Sequence, residues 1–318
     1  MEKPIGVTMG DPAGIGPELV YKLTLTEQKN LLIYTNFECL KKFAPQTNLS
    51  DPRLVNVEGV FDLAEVNSGK PSASAGQISL SIIKKAVNDC IKSRISGVIT
   101  GPISKFSWHL AGYNWPGHTE LLAHLVCPKD PPKVRMLMYG EKLKIVLNSV
   151  HLSLKDAIFG LNKDNVFETV KISDMWYRKN FDKQPKLILA ALNPHAGERG
   201  ILGKEEIEIL EPVVEKAKRA GINISGPLSA DTVFFKNQND CDSPQSDNII
   251  IALYHDQGLI PFKLHGLDAG VNTTIGLPFL RTSVDHGTAF DIAGKNLASL
   301  KPMIVALELT REILKKRR

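Results

Sequence analysis

Strand-like and helix-like segments alternate along almost the whole of this 318-residue chain. A short strand, PIGVTMG at 4–10, is followed by a helix from about Pro17 and by a second strand, LLIY, at 31–34. A helix at 75–94 then has apolar residues at helical spacing and leads into the strand GVITGP at 97–102. Strands joined through helices pair in parallel, because the helix returns the chain to the same end of the sheet. The pattern predicts an α/β fold with a mixed, mostly parallel sheet covered by helices on both faces.

The second half of the chain continues the alternation and adds one exception. Two extended runs at 134–140 and 143–150, joined through Glu-Lys, predict a β-hairpin. A polar stretch at 237–248 predicts a surface loop. The remaining predicted elements are a helix at 165–181, a strand at 186–192, a helix at 205–221, a strand at 248–256 and a C-terminal helix from about Pro302.

Composition excludes several classes of protein. Hydrophobic residues make up 43% and charged residues 23%, as in ordinary globular proteins. The formal net charge of +5 is mild and owes much to the final LKKRR, which predicts a solvated helix end and no nucleic-acid partner. Four widely spaced cysteines without a CxxC pair predict reduced thiols. With no signal-peptide pattern and no apolar run of membrane-spanning length, we expect a cytoplasmic protein without a membrane partner.

Three of the predicted strands each end within a few residues of a histidine. KIVLNSV leads to His151, KLILAAL leads to His195, and NIIIALY leads to His255. Ligands of open α/β sheets bind beyond the carboxyl ends of the strands. Zinc accepts three imidazoles and leaves a position open for water or substrate. The placement therefore favours a three-histidine metal site, and a set of hydrogen-bonded loop imidazoles is the alternative.

Two carboxylates lie near these histidines in the sequence. Asp256 directly follows His255, and Asp231 lies in SADTVFF. A carboxylate that accepts a hydrogen bond from a metal-bound imidazole orients its ring. Ordinary loop capping explains both residues equally well.

The glycines near the N-terminus match no dinucleotide-binding or P-loop fingerprint. GDPAGIGPE is neither GxGxxG nor GxxxxGK[ST]. Glycines between a strand and a helix still expose backbone N–H groups to an anion. Tight turn geometry alone would explain Gly10, Gly14 and Gly16, so this signal is weak.

A series of longer motifs is specific enough to suggest a family. HGTAFDIAGK, at 286–295, resembles the adenine-nucleotide loop of the isopropylmalate and isocitrate dehydrogenase superfamily, which binds nicotinamide dinucleotides without a Rossmann fold. The other motifs, in chain order, are MGDPAGIGPE, TGPISK, GHTE, NPHAGE, GPLSADT and NTTIGLPFLRTSVDHGTA. Together they resemble the 4-hydroxythreonine-4-phosphate dehydrogenase family of the vitamin B6 pathway, over nearly the entire chain.

This resemblance implies a fold and an assembly. The fold is isopropylmalate dehydrogenase-like, with two α/β/α domains and the active site in the cleft between them. Residues 1–125 with 275–318 correspond to the first domain, and residues 126–274, which carry the metal histidines, to the second. It also implies a homodimer with its active site at the subunit interface and with metal ligands drawn from both subunits.

The resemblance also implies the residues of the site. The metal ligands fall on His151, His195 and His255, the three residues that the strand-end argument selects, and hold one divalent ion, zinc, magnesium or cobalt. The substrate-contacting positions are His118, Thr119, Lys263, Asn272 and Arg281. Three positions depart from the family pattern: Ser153 replaces a Pro, Arg199 replaces a Gly, and Leu267 replaces a Phe close to Lys263.

The implied cofactor is NAD or NADP, held by the loop at 286–294. Its candidate contacts are His286, Gly287, Thr288, Asp291 and Gly294. A carboxylate facing a ribose hydroxyl repels a 2′-phosphate, so Asp291 in that role would favour NAD. Helix capping explains Asp291 equally well, and the choice between the two dinucleotides stays open.

The implied activity is oxidation of 4-phosphohydroxy-L-threonine, a small phosphorylated substrate. A divalent ion on three neutral imidazoles keeps its charge and lowers the pKa of a bound alcohol. The general base stays open between His118, Asp231, Asp256 and metal-bound water. Alternatives are a paralogous dehydrogenase of threonate or erythronate 4-phosphate, a metallohydrolase, which the nucleotide loop disfavours, and a non-catalytic binding protein.

Overall fold

The computed structural model describes residues 3–237, 247–265 and 270–317. Cys241, Leu267 and most of the polar stretch at 237–248 lie outside the described residues. The strands are β1 (Ile5–Thr8), β2 (Leu31–Thr35), β3 (Leu54–Asn56), β4 (Gly97–Thr100), β5 (Arg135–Tyr139), β6 (Lys144–Leu147), β7 (Lys186–Ala190), β8 (Ile224–Leu228), β9 (Asn248–Ala252), β10 (Val271–Ile275) and β11 (Leu280–Ser283).

The helices follow the strands in alternation through most of the chain. They are α1 (Gly16–Thr24), α2 (Phe37–Phe43), α3 (Ala73–Ile91), α4 (Lys105–Leu110), α5 (His118–Val126), α6 (Leu154–Phe159), α7 (Lys163–Phe181), α8 (Glu211–Arg219), α9 (Ala230–Lys236), α10 (His255–Leu264) and α11 (Lys301–Lys316). Two irregular helical segments, Pro194–Gly200 and the π-helical turn Glu206–Leu210, precede α8.

The chain divides into two compact units. The first comprises Met1–Lys133 and Leu277–Arg311, and the second comprises Val134–Gly276 and Glu312–Arg318. The predicted domains divided the chain after residues 125 and 274 and kept the whole C-terminus in the first domain.

The first unit has a parallel sheet in the order β3-β2-β1-β4-β11. The long helix α3 packs on β1, β2 and β4. It begins where the Ser72 hydroxyl accepts a hydrogen bond from the Ala75 N–H, which satisfies one of the free donors of the first turn. Trp108 of α4 is fully buried and donates its indole N–H to Ser79 of α3 at 2.9 Å. This packing supports the loops that follow β1 and β4.

The second unit has a mixed sheet in the order β10-β5-β6-β9-β7-β8. Strands β5 and β6 form the predicted antiparallel hairpin. Strands β6, β9, β7 and β8 are parallel to one another. Helices α9 and α10 bury Phe234 and Phe262 against one face of these strands, in a core that includes Ile145, Ile188 and Ile250. The predicted mixed, mostly parallel α/β sheet is confirmed.

Several short elements were not predicted. The GHTE motif forms the start of α5, where Gly117 precedes the first helical residue, His118. Strands β10 and β11 lie among glycines and a proline that suppress strand propensity, and pairing with neighbouring strands forms them nonetheless. The predicted helix at 205–221 begins with a π-helical turn. Within the described residues, no helix has both the length and the apolar character needed to cross a bilayer.

Candidate active site

Strand pairing brings the three predicted histidine positions to one edge of the second unit. Strand β9 pairs in parallel with β6 on one side and with β7 on the other, with Leu147 opposite Ala252 and Leu189 opposite Ile251. Parallel neighbours end at the same edge of a sheet, so the segments that follow them leave from that edge. The strand-end placement on which the metal hypothesis depends is therefore present in the structure.

His151 and His255 face each other at this edge. Their ring centroids are 6.0 Å apart with the planes tilted by 36°. Both line a cavity of about 290 Å³, together with Tyr254 and Asp256. Two imidazoles that share one zinc ion place their centroids about 4.5–6.4 Å apart, given metal–nitrogen distances near 2.1 Å. This pair of rings fits one shared ion.

Asp256 sets the orientation of one of these rings. His255 Nδ1 lies 2.7 Å from Asp256 Oδ1, a distance at which the imidazole N–H donates to the carboxylate. That hydrogen bond selects the tautomer in which Nε2 carries the lone pair. His255 thus has the arrangement expected of a metal-binding imidazole with its carboxylate partner.

His195 lies on a left-handed turn after β7. Its φ is 51°, and the next four residues also have positive φ. The described residues contain no group of three or more His, Cys, Asp or Glu side chains close enough together to hold an ion. The structure brings His151 and His255 together and does not bring His195 into the same cluster.

Asp231, at the start of α9, lies within electrostatic reach of His195. It is exposed and accepts a hydrogen bond from the Ser229 hydroxyl at 2.7 Å. This hydrogen bond, with a smaller contribution from His195, lowers the pKa of the Asp231 carboxyl. The carboxylate is therefore ionised at neutral pH and able to accept a proton or a hydrogen bond.

Arg281 is a buried cation in the first unit. Strand β11 pairs with β4, and the Arg281 guanidinium donates to the Thr100 hydroxyl at 2.7 and 3.1 Å. The residue is only 3% exposed. Burial lowers the pKa of Arg281 to about 9, an effect that the Glu120 carboxylate opposes. A guanidinium held in this way is suited to bind a phosphate or carboxylate group.

His118 lies beside this cation. Its ring packs edge-on against Trp108, with centroids 5.8 Å apart. Burial, and then the positive charges of Arg281 and Lys105, hold the pKa of His118 well below its ordinary value. Within the described residues, His118 Nε2 is buried and has no hydrogen-bonding partner. A buried polar atom without a partner is available to hydrogen-bond a ligand. Thr119 follows it, partly buried.

The two substrate-binding candidates of the second unit have different surroundings. Lys263 lies in the last turn of α10 and is exposed. Asn272 lies in β10 opposite Met138 of β5 and is partly buried. An exposed ammonium and an amide on a strand are both able to contact a polar ligand.

The predicted nucleotide loop packs against the glycine-rich loop of the first unit. The Ile15 N–H donates to the Thr288 carbonyl at 3.0 Å. A Cβ added at Gly14 would lie 2.7 Å from that same carbonyl oxygen, which explains why only glycine fits there. The two loops that the sequence offered as separate places for a dinucleotide are therefore one surface.

The remaining residues of this loop are accessible. His286 hydrogen-bonds the Gly287 carbonyl at 3.0 Å through Nδ1, and no atom lies within 4 Å of a Cβ added at Gly287. Gly294 has φ 75°, which favours glycine. Asp291 is exposed and lies in a turn, not at the start of an α-helix.

Some residues of the site have no signal in the sequence. Thr100 and Lys105 are the first and last residues of the TGPISK motif, but only the fold places them beside Arg281 and His118. Glu206, buried at the edge that carries His195, lies in a stretch that predicts an ordinary helix.

Solved structures of dehydrogenases share this fold. The crystal structure of 4-hydroxythreonine-4-phosphate dehydrogenase from Klebsiella pneumoniae matches with a TM-score of 0.84 and 35% identity, over 98% of this chain and 100% of that chain. The fold is thus one found among oxidoreductases of the α/β class.

The sequence matches the family described as "Pyridoxal phosphate biosynthetic protein PdxA" over residues 17–310, and the chain belongs to that family. The 4-hydroxythreonine-4-phosphate dehydrogenase of Aquifex aeolicus is 40% identical over 99% of this chain and 100% of the relative. The D-threonate 4-phosphate dehydrogenase of Pectobacterium atrosepticum is 36% identical over 98% of this chain and 100% of the relative.

The lowered pKa of His118 predicts a pH dependence of stability. The unfolded chain binds a proton to this imidazole near pH 6.5 and the folded chain does not, so folding becomes less favourable as the pH falls through that value. Between pH 7 and 5.5 the loss through this residue is about 1 kcal/mol. We expect His118→Gln to lose less stability over this range than the parent in urea unfolding at the two pH values. Equal losses in both proteins would contradict the neutral, buried state of His118.

Proposed function

We propose that this chain is an NAD(P)-dependent, divalent-metal-dependent dehydrogenase of 4-phosphohydroxy-L-threonine. Its product, 2-amino-3-oxo-4-phosphooxybutanoate, is a β-keto acid and loses carbon dioxide to give 3-amino-2-oxopropyl phosphate. The 40% identity to the Aquifex aeolicus 4-hydroxythreonine-4-phosphate dehydrogenase over the full length of both chains supports the reaction. The buried cation Arg281 beside the unsatisfied Nε2 of His118 is the structural observation that carries the proposal.

The substrate-binding residues would act mainly on the charged groups of the substrate. Arg281 holds its positive charge in a buried position beside Thr100, so its attraction for an anion that reaches it would be screened little by water. His118, neutral and buried, accepts or donates one further hydrogen bond. The proposal gives Thr119, Lys263 and Asn272 the remaining polar contacts.

The metal site of the proposal consists of His151, His195 and His255. The facing rings of His151 and His255, and the hydrogen bond of His255 to Asp256, fit an imidazole-bound divalent ion such as zinc, magnesium or cobalt. When bound, the ion supplies Lewis acidity that lowers the pKa of the substrate alcohol and polarises the developing carbonyl. Asp231, Asp256 and His118 are the candidates in this chain for accepting the alcohol proton.

Removing one imidazole tests this metal site. We expect His151→Ala, His195→Ala and His255→Ala each to lower metal content after dialysis and to lower activity in parallel, because each removes one ligand. His265→Ala, at the other end of α10 from His255, is the control and should keep the parent content. Elemental analysis measures the metal. Full metal occupancy in all three variants would contradict the assignment of these histidines as metal ligands.

The dinucleotide would lie on the surface where the 286–294 loop meets the glycine-rich loop. Exposed backbone at Gly287 and Gly294, with the accessible ring of His286, suits the adenosine end of NAD or NADP. Thr288 couples this loop to Ile15 through its backbone carbonyl. An exposed Asp291 would favour the unphosphorylated ribose.

The free space at Gly287 makes a sharp test of this location. A Cβ at this position has no atom of the protein within 4 Å, so we expect Gly287→Val to leave stability nearly intact while it obstructs a ligand that approaches the backbone. We expect His286→Ala and Gly287→Val to raise the KM for the dinucleotide about tenfold, the effect of losing roughly 1.4 kcal/mol of binding. Metal content should not change, and His109→Ala is the control. If the KM for the dinucleotide is unchanged in both variants, the cofactor does not bind at this loop.

The proposed enzyme is a cytoplasmic homodimer, with the two compact units as its domains. Its second unit exposes large apolar side chains around the histidine edge: Leu152, Leu154 and Phe159 near α6, Phe235 on α9, and Ile260 and Leu264 on α10. The cavity at the histidines and a second cavity of about 480 Å³ between α9 and α10 both include Tyr254 and Asp256, so this surface is continuous. Exposed apolar surface of this kind marks protein–protein interfaces.

A second candidate substrate is D-threonate 4-phosphate. The 36% identity to the Pectobacterium atrosepticum D-threonate 4-phosphate dehydrogenase supports it. The two substrates share the phosphate and the alcohol to be oxidised and differ in carrying an amine or a hydroxyl at C2. The same phosphate-binding and metal-binding residues would serve both.

Parallel assays decide between these substrates. We expect reduction of NAD or NADP, followed by absorbance, to be faster with 4-phosphohydroxy-L-threonine than with the threonate and erythronate phosphates. The discriminating contact is a single polar group, whose loss costs about 1–3 kcal/mol or roughly 5- to 150-fold in kcat/KM. A higher kcat/KM for a sugar-acid phosphate would replace the proposed substrate with the second candidate.

A further inference from the structure

The turn that carries His195 is energetically unfavourable by itself. Five consecutive residues, from His195 to Arg199, have φ between 42° and 77°. Only Gly197 among them is free of the clash between Cβ and the carbonyl oxygen, so each of the other four residues is strained in this conformation. Arg199, with φ 55°, is one of these strained residues. The turn must therefore be held by contacts with its surroundings.

Glu206 supplies such contacts on the N-terminal side of the turn. Its side chain is 1% exposed, and its Oε1 accepts hydrogen bonds from the N–H groups of Leu192 at 2.9 Å and Asn193 at 2.8 Å. Its Oε2 accepts from the Asn193 side-chain amide at 2.8 Å. Hydrogen bonds to a buried carboxylate are about twice as strong as neutral ones, and together they fix the two residues that lead into the turn.

The same carboxylate also contacts the turn beyond His195. A Cβ added at Gly197 would lie 2.6 Å from Glu206 Oε2, so glycine is required where the turn closes over the carboxylate. Gly203 approaches the Asn193 side chain as closely, at 2.2 Å from a Cβ position to Nδ2. Glu206 thus touches the chain on both sides of His195.

The local helix geometry follows from this packing. Glu206 is the first residue of the π-helical turn Glu206–Leu210, inserted before α8. Single π-helical turns are rare and occur frequently at functional sites, because the wider turn redirects a side chain. The irregular turn begins at the residue that holds the left-handed turn.

We propose that Glu206 is a positioning residue that holds the left-handed turn so that His195 can act as a metal ligand. This inference rests on the proposed function, in which His195 binds the ion together with His151 and His255. The three groups that hydrogen-bond Glu206 are N–H donors, so a carboxylate accepts from all of them. An amide could satisfy them only if Asn193 turned its own amide over and gave up its hydrogen bond to Glu205.

Glu206→Gln is the variant that separates charge from size. Glutamine has nearly the same volume, but its NH₂ group either faces one of these donors or requires Asn193 to turn its amide over and lose its hydrogen bond to Glu205. Glu205→Gln is the matched control: Glu205 is the preceding residue, and it accepts from the same Asn193 amide at 2.7 Å but is only partly buried. Asn180→Ala, which removes a fully buried amide from α7, controls for loss of stability alone.

The measurement is cobalt(II) binding to the chelator-treated full-length protein, by titration calorimetry and by visible absorption, at a temperature where circular dichroism shows every variant folded. We expect Glu206→Gln to weaken the Kd for cobalt about tenfold, as removal of a group that orients a metal ligand does. Its visible spectrum should change as well. Glu205→Gln and Asn180→Ala should keep the parent Kd and spectrum, although Asn180→Ala unfolds at a lower temperature.

Two different results would overturn two different statements. If Glu206→Gln is folded and binds cobalt with the parent Kd and spectrum, Glu206 only supports the fold and the inference is wrong. If the parent does not bind cobalt, or if His195→Ala binds cobalt with the parent Kd, His195 is not a metal ligand. The inference is then wrong as well, because it depends on that role. If Glu206→Gln does not fold, the same cobalt measurements are made on Glu206→Asp, which keeps the charge but shortens the side chain by one methylene. A parent-like Kd and spectrum in that variant would then contradict the inference.

Discussion

Parallel pairing of β6, β9 and β7 is the constraint on which the candidate metal site depends. Backbone hydrogen bonds hold the three strands in one register, so the chain leaves all of them at the same edge. His151, His195 and His255 come from segments far apart in the sequence, and only this pairing brings them to that edge. The apolar core under α9 and α10 stabilises the pairing, which makes the hydrophobic interior of the second unit part of the site's support.

Polar groups that are costly to bury occur in both units at the positions where a ligand is expected. Arg281 keeps a guanidinium almost entirely out of water, with Thr100 as one acceptor, and His118 lies next to it with a ring nitrogen unsatisfied. Glu206 is a buried carboxylate whose acceptors are filled by N–H donors. Buried polar groups destabilise a fold unless they are hydrogen-bonded. The unsatisfied Nε2 of His118 therefore suits a polar ligand, whereas the Glu206 carboxylate is already satisfied by the chain itself.

The family departures have local physical consequences. Ser153, in place of a proline, is the N-cap of α6, and its hydroxyl accepts a hydrogen bond from the Asp156 N–H at 3.1 Å. This satisfies a donor that a proline could not, since proline has no side-chain acceptor. Arg199 adopts φ 55°, so the glycine that the family commonly has there would relieve strain in the left-handed turn. One departure thus stabilises its surroundings, and the other adds a cost that neighbouring contacts must offset.

The sequence by itself determined the alternation of strands and helices, the mixed sheet, the β5–β6 hairpin and the residues that follow each strand, because hydrophobic periodicity and chain order are local properties. It could not show that β10 and β11 are strands, since NTTI and LRTS form strands only by pairing with their neighbours. It also could not show the left-handed conformation at His195, the burial of Arg281 or the role of Glu206. These depend on contacts between residues distant in sequence, and only the tertiary structure decides which donors, acceptors and charges meet.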